Sequence, residues 1–294
     1  MPAPRAVLES WPVQEHQPVR DLLSHQSLLP AELDDAPPLA ALSRAAYARG
    51  HAAFEQRSTQ RALIADWLVE RLDRRTGPLS VLSVGCGDGD LDAAVARRLA
   101  AGRAGALRYD GLDPHAASAG RFLAAVGGID DVVSGARVAR ADSVPAEPAY
   151  DVVVAVHCLY YVADLEQVVR RLLGAVRPGG ELLVLLAPVG PLNALAAHLA
   201  PSTGGHRQWW SQDLAGALTE TGLHADRVEL HGRLRLDDCL DADDPVGRDV
   251  LDFTVQGVLP AGLREPVLDH LIAVRLPGQG LTLSHPVDAW SVRP

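Results

Sequence analysis

Two groups of residues in this sequence have the types and spacing to do chemistry. The first is Gly85-Cys86-Gly87-Asp88-Gly89-Asp90, which follows the apolar run Val81–Val84 and precedes a helical pattern over Leu91–Ala101. Glycines let the backbone turn tightly and approach a ligand, and a helix N-terminus offers free N–H groups. The spacing is G-x-G-x-G; the dinucleotide fingerprint needs its last glycine at position 90, where this chain has an aspartate. Asp88 and Asp90 would repel a pyrophosphate and suit a ligand that carries an ammonium and a sulfonium. Asp113, in Gly111-Leu112-Asp113-Pro114, ends the next apolar run, where a carboxylate can accept both hydroxyls of a ribose. Asp142 and Ser143 follow the third run and stand where a side chain can bond an adenine amine; a surface turn is an equal reading.

The second group is His157-Cys158-Leu159-Tyr160-Tyr161-Val162, after the fourth run. An unperturbed imidazole titrates near pH ~6.5, so His157 is a candidate base for an amine or hydroxyl. It could instead position a substrate or be a bonded core residue. Aromatic faces hold cations with about 0.5–2 kcal/mol, which gives Tyr160 and Tyr161 a binding role, although one of the two is expected to pack beneath the pocket. Trp209-Trp210 could form a lid or a packing staple. Asp237–Asp244 could attract a basic substrate, with a solvated loop as the plainer reading.

The elements that must position these residues alternate. Strand-like runs are Val81–Val84, Leu107–Leu112, Arg137–Ala139, Val152–Val156 and Leu182–Leu186, and helix-like runs between them are Leu91–Ala101, Ala116–Ala125 and Leu165–Val176. Alternation of this kind means βαβ units and a buried, mostly parallel sheet. The expected fold is α/β: a Rossmann-like, doubly wound, seven-stranded sheet with helices on both faces and one antiparallel edge strand. Upstream, Ser58 or Thr59 can cap a helix carrying Leu63, Ile64, Trp67, Leu68 and Leu72, ended by Gly77-Pro78. Downstream, 189–208 reads as a loop or broken helix, Ser211–Gly222 as a helix capped by Ser211, and Pro260–Leu276 as helical. Val228–Leu236 and Gly280–Trp290 are the candidate antiparallel pair. Residues 1–45 are Pro-rich and are expected to form an irregular arm or lid, leaving 46–294 as the domain.

The composition narrows the function. At 48% hydrophobic the chain can bury a large core, and it has no apolar run long enough to span a membrane. A net charge of −10 argues against nucleic-acid backbones. Cys86, Cys158 and Cys239 form neither a metal-ligand spacing nor a disulfide framework, so no metal is expected and a cytoplasmic location fits. All basic residues are arginine, which reads as a high-GC, bacterial coding bias.

With these residues in view, the chain resembles class I S-adenosylmethionine-dependent methyltransferases, and within them histamine N-methyltransferase and its relatives. The resemblance spans roughly 47–290 and is carried by Tyr47–Leu72 around Arg57-Ser58-Thr59-Gln60, by Ser83–Asp92, by His157–Val162, by Asp237-Asp238-Cys239-Leu240 and by Leu251-Asp252-Phe253. It implies a cofactor site at Gly85, Cys86, Gly87, Asp113, Pro114, Asp142, Ser143 and Val156. It also implies a substrate pocket from Gln60, His157, Tyr160, Tyr161 and Phe253, to which Trp209 is added as a lid residue, with His157 and Tyr160 nearest the chemistry. The chain departs from the family where Gln60 replaces a glutamate, His157 replaces a glutamine, and Leu281 stands where an asparagine is expected. The expected activity is transfer of a methyl group to a small molecule, with a nitrogen of an amine, amino acid or guanidine as acceptor and an O- or C-methyltransferase as the alternative. A monomer or homodimer is expected, with no nucleic-acid or membrane partner.

Overall fold

The computed structural model describes residues 28–103, 105–202 and 207–294. The Pro-rich arm therefore lies outside the described residues up to position 27. From Leu28 onward the chain already belongs to the body: Leu29, Leu33 and Leu39 are buried, and α1 (Ala31–Asp34) packs on later helices. The boundary expected at 45/46 thus falls inside packed structure, because these leucines need apolar cover.

The chain continues through α2 (Arg44–Arg57), α3 (Gln60–Asp73), β1 (Leu79–Val84), α4 (Asp90–Gly102), β2 (Leu107–Asp113), α5 (Ala116–Gly127), β3 (Val132–Val133), β4 (Ala136–Val138) and β5 (Tyr150–Val156). Then come α6 (Leu165–Gly174), β6 (Val176–Leu186), α7 (Asn193–Leu199), α8 (Ser211–Glu220), β7 (Ala225–Leu230), β8 (Arg233–Arg235), α9 (Pro245–Thr254), α10 (Ala261–Ala273), β9 (Thr282–Ser284) and β10 (Val287–Val292). The main sheet has the order β3-β2-β1-β5-β6-β10-β7, with β4 continuing the β3 edge alongside β2. Counted by position it is a seven-stranded sheet. β10 is antiparallel to both neighbours and lies one place in from the edge, with β7 outside it.

Val152–Val156 of β5 and Leu182–Leu186 of β6 are continuous apolar runs because both faces of the sheet are covered. β1 is buried at every position. α6 and α8 contribute to the core on one face, while α3, α4 and α5 contribute to the other. A third core, formed by α1, α7, α9, α10 and the β8–β9 pair, makes a helical cap.

Two expected strands are each split. Val228–Leu236 divides at Gly232, where a Cβ would lie 2.3 Å from the His285 carbonyl oxygen, and Gly280–Trp290 divides at His285-Pro286. These paired breaks pass the chain from the main sheet to the small one. Ser211 is not the cap of α8: that place belongs to Trp210, whose N–H donates to Asp213 (2.7 Å). The Ser211 hydroxyl instead donates to buried Asp288 (2.6 Å), a carboxylate that needs a donor inside the core. Tyr160 and Tyr161 lie in a short 3-10 turn, and α6 starts only after its cap Asp164.

Candidate active site

The C-terminal ends of β1, β2, β4 and β5 converge on one edge of the sheet. The chain leaves β1 through Gly85 (φ 64°), Gly87 (φ 55°) and Gly89 (φ 80°), all in the left-handed region that favours glycine. A Cβ at Gly85 would lie 2.3 Å from the Cβ of Cys158 and one at Gly89 2.8 Å from the Cα of Phe122, whereas Gly87 faces open space. Four of the loop's own N–H groups are already used. Gly85 and Cys86 donate to the Leu112 carbonyl (2.7 and 3.1 Å), Gly89 to the Cys86 carbonyl (3.1 Å), and Gly87 to Asp113 Oδ2 (3.0 Å). The loop therefore presents acceptors, namely carbonyl oxygens and the carboxylates of Asp88 and Asp90. Such a surface suits an ammonium and a sulfonium and offers a pyrophosphate few donors.

Asp113 is only 7% exposed, and its second oxygen accepts the His115 N–H (2.8 Å). Each carboxylate oxygen keeps a further lone pair for a ribose hydroxyl. Pro114 follows it. Asp142 and Ser143 lie in the 3-10 turn Ala141–Ser143 beyond β4, joined to each other (3.1 Å) and to Arg140 (3.2 Å), and Val156 is the last residue of β5. The acceptor-rich loop, the rigid carboxylate and the open Gly87 fit the amino-acid and nucleoside parts of S-adenosylmethionine.

Beside this edge, under the cap, is a pocket of about 140 Å³. Its polar framework starts at Gln60, which is 3% exposed. The Gln60 amide nitrogen donates to the carbonyls of His285 (3.2 Å) and Pro286 (3.1 Å), which fixes Oε1 as an acceptor 2.8 Å from His157 Nε2. His157 Nε2 is then the protonated nitrogen. The Tyr160 hydroxyl accepts the Ala187 N–H (3.0 Å) and donates to His157 Nδ1 (2.7 Å). Both ring nitrogens are engaged and the ring is neutral. Burial lowers its pKa to about 4, with only partial compensation from Glu55. His157 itself holds a left-handed backbone (φ 49°), rarely adopted by a residue with a side chain.

Aromatic side chains and one ionised group make up much of the remaining wall, beside Leu192, Asn193, Gln208 and Gln256. Tyr47, Phe54, Tyr161, Trp210 and Phe253 surround the space, and Phe253 meets both Tyr47 (5.3 Å) and Phe54 (5.0 Å). His285 is bonded through Nδ1 to the Ser58 hydroxyl (2.9 Å), and burial, with His157, lowers its pKa to about 4. Burial pushes the Glu55 carboxyl up, but Arg61, helped by His51 and His157, outweighs it and holds the group below its usual value. Glu55 Oε2 pairs with Arg61 Nε (2.5 Å), while Oε1 has no hydrogen bond among the described residues and lies 4.0 Å from His51 Nε2.

Gln60, His157, Tyr160, Tyr161 and Phe253, expected from the sequence to share a pocket, do line one. Trp209 does not. Its indole N–H donates to the Val162 carbonyl (2.7 Å) and its ring packs on the sheet core; Trp210 faces the pocket instead, edge-on to Tyr160. Leu281 is buried in the cap core, and the residue of that segment that reaches the pocket is His285. Of the readings open for His157, a base or a positioning or bonded residue, the geometry favours the second, since Tyr160 and Gln60 engage both ring nitrogens. Sequence reading missed Tyr47, His51, Phe54 and Glu55. Their spacing was the available signal: positions 47, 51, 54 and 55 fall on one face of a helix, and Ser43 caps that helix through Ala46.

The strand order defines a Rossmann-like α/β protein, and the acceptor-lined cleft at the strand ends suits a nucleoside with a cationic tail. A family model described as a methyltransferase domain matches residues 55–228, and the chain belongs to that family. It is an S-adenosylmethionine-dependent methyltransferase. Among solved structures it is similar to the YcgJ protein from Bacillus subtilis, at 14% identity and a TM-score of 0.51, over 78% of this chain and 97% of that one. It is also similar to a candidate methyltransferase from Bacillus halodurans C-125, at 15% identity and a TM-score of 0.50, over 77% and 97%. At these identities the likeness is one of fold. No curated protein matches the sequence. Among the described residues no helix is long and apolar enough to cross a membrane.

Proposed function

We propose that the enzyme methylates a nitrogen of a small amine, amino acid or guanidine compound in bacterial secondary metabolism. The observation that carries this reading is Glu55, an ionised carboxylate with one oxygen free of hydrogen bonds among the described residues, in a pocket that also presents aromatic rings and neutral imidazoles. A carboxylate and aromatic faces together favour an ammonium. The pocket's volume is close to that of an engineered cavity of roughly 150 Å³ that holds benzene, so a ligand with one ring or a short chain suits it.

Methyl transfer needs the acceptor's lone pair in line with the carbon–sulfur bond. The nitrogen–carbon bond forms as that bond breaks, and its electron pair stays on sulfur as the thioether. Alignment and exclusion of water are the protein's contribution, and alignment alone reaches about 7–11 kcal/mol in model systems. The Ala187–Tyr160–His157–Gln60 relay keeps the pocket floor rigid and neutral. On this reading His157 positions the substrate and is not a base. The acceptor binds as an ammonium on Glu55 and gives its proton up to water before the transfer, which frees the lone pair.

One observation favours the second reading, O-methylation of a neutral acceptor: the charge of Glu55 is already balanced by Arg61. Glu55→Gln separates the two. For an amine acceptor the variant should raise KM about tenfold or more, consistent with a charge-assisted bond of about 1.5–3 kcal/mol, and leave the affinity for S-adenosylhomocysteine nearly unchanged. An unchanged amine KM would remove Glu55 from recognition and favour the neutral acceptor.

A further inference from the structure

The amino-acid end of the methyl donor carries a carboxylate as well as an ammonium, and the glycine loop has little for a carboxylate to bond. The N–H groups of Gly85, Cys86, Gly87 and Gly89 are all donated within the protein. The first turn of α4, which would otherwise offer free N–H groups, carries Asp90 and Asp92, whose charges oppose a second anion. Arg121 is engaged by Asp88 (2.8 Å) and Ser118 (3.4 Å). His51 is not a substitute cation, because burial lowers its pKa.

Arg61 is placed to fill this gap. α3 and α4 run side by side in the same direction: Asp66 pairs with Arg98 (2.6 Å), and the carbonyls of Leu72 and Arg75 accept from Arg103 (3.0 and 2.7 Å). Continued back from Asp66 by about one and a half turns, this register sets Arg61 against the first turn of α4, where the chain leaves the glycine loop. The charge of Arg61 acts both on Asp92 in that turn and on His157. Its neighbour Gln60 holds His157, and its Nε is tied to Glu55 of the pocket wall. The two terminal guanidinium nitrogens have no partner among the described residues, so the fork that matches a carboxylate is open.

We propose that Arg61 binds the carboxylate of the methyl donor's amino-acid end. The Glu55–Arg61 ion pair then joins the two ligands, with the acceptor's ammonium on Glu55 and the donor's carboxylate on Arg61. The proposal rests on the assignment of the glycine-loop cleft to S-adenosylmethionine.

The test is calorimetry with two ligands that differ in the amino-acid end: S-adenosylhomocysteine, which has it, and 5′-methylthioadenosine, which lacks it. Arg61→Gln should weaken S-adenosylhomocysteine by about 10–100-fold, the range of a lost charge-assisted pair, and leave 5′-methylthioadenosine unchanged. Arg61→Lys should recover part of that loss. In the native protein, decarboxylated S-adenosylmethionine should bind more weakly than S-adenosylmethionine, and Arg61→Gln should abolish the difference. Unchanged S-adenosylhomocysteine affinity, or an equal loss for both nucleosides, overturns the proposal. If the native protein binds neither nucleoside, the cleft assignment falls and the proposal with it.

Discussion

His157 is held by Tyr160 on one nitrogen and Gln60 on the other, and this decides what it can do. A ring with both nitrogens bonded and a pKa near 4 is a poor proton acceptor at neutral pH. His157→Gln should therefore lower kcat by less than the factor of about 10²–10⁴ that loss of a general base brings. A native rate profile with a limb near pH ~6.5 that disappears in the variant would restore the base reading. The same shift has a consequence for stability. His157 and His285 both have folded pKa values of about 4, below the 6.5 of an ordinary imidazole, so the unfolded chain takes up protons first as pH falls. Their contribution is complete above pH 6.5 and is lost progressively towards pH 4. Thermal melting should show Tm falling over that window, with His157→Gln and His285→Gln each flattening the fall; identical slopes in native and variant proteins would contradict the assignment. At this scale the sequence revealed which residue types meet in the pocket but not how their protons are shared. That depends on the Gln60 amide being turned by two carbonyls that lie 225 and 226 residues away.

At the scale of elements, the glycine loop shows two uses of the same residue. Gly89 has a left-handed backbone and stands against Phe122, so Gly89→Ala meets both strain and a clash; it should destabilise the fold by about 1–3 kcal/mol in urea melts. Gly87 has the strain without the clash. Gly87→Ala should cost less stability while still weakening S-adenosylhomocysteine, because its side is open at the cleft proposed for that ligand. Equal stability losses in the two variants would contradict this division. The loop and the central strands were legible in the sequence because apolar runs buried on both faces have few other readings. α2 was not recognised as a helix, since its buried residues are few and its aromatic face looks into the pocket instead of a core. The splits at Gly232 and at His285-Pro286 were hidden because each lies within one apolar run, and only the close approach of the two segments requires a break.

The whole molecule is a sheet with a cap, and the pocket is the space between them. Its three largest cores lie one on each face of the sheet and one in the cap, and a small fourth cluster forms around Trp210. The cap is tied down by the Arg49–Asp249 ion pair between α2 and α9 and by the β8–β9 pair; Ser58, bridged to Leu234 of β8, holds His285, which lines the pocket. The sheet half was readable as a methyltransferase from its loop and Asp113. The cap half was not, because its elements are short and its strands pair across nearly fifty residues. The central claim joins the halves: a cleft for S-adenosylmethionine on the sheet and a pocket for a small amine under the cap. It is tested most directly by incubating the native enzyme with methyl-deuterated S-adenosylmethionine and a mixed library of single-ring and short-chain amines, amino acids, guanidines and phenols, and locating the label by mass spectrometry. The account predicts the labelled methyl on the nitrogen of an amine, amino acid or guanidine. Label on oxygen or carbon, or label on none of the library, would contradict it.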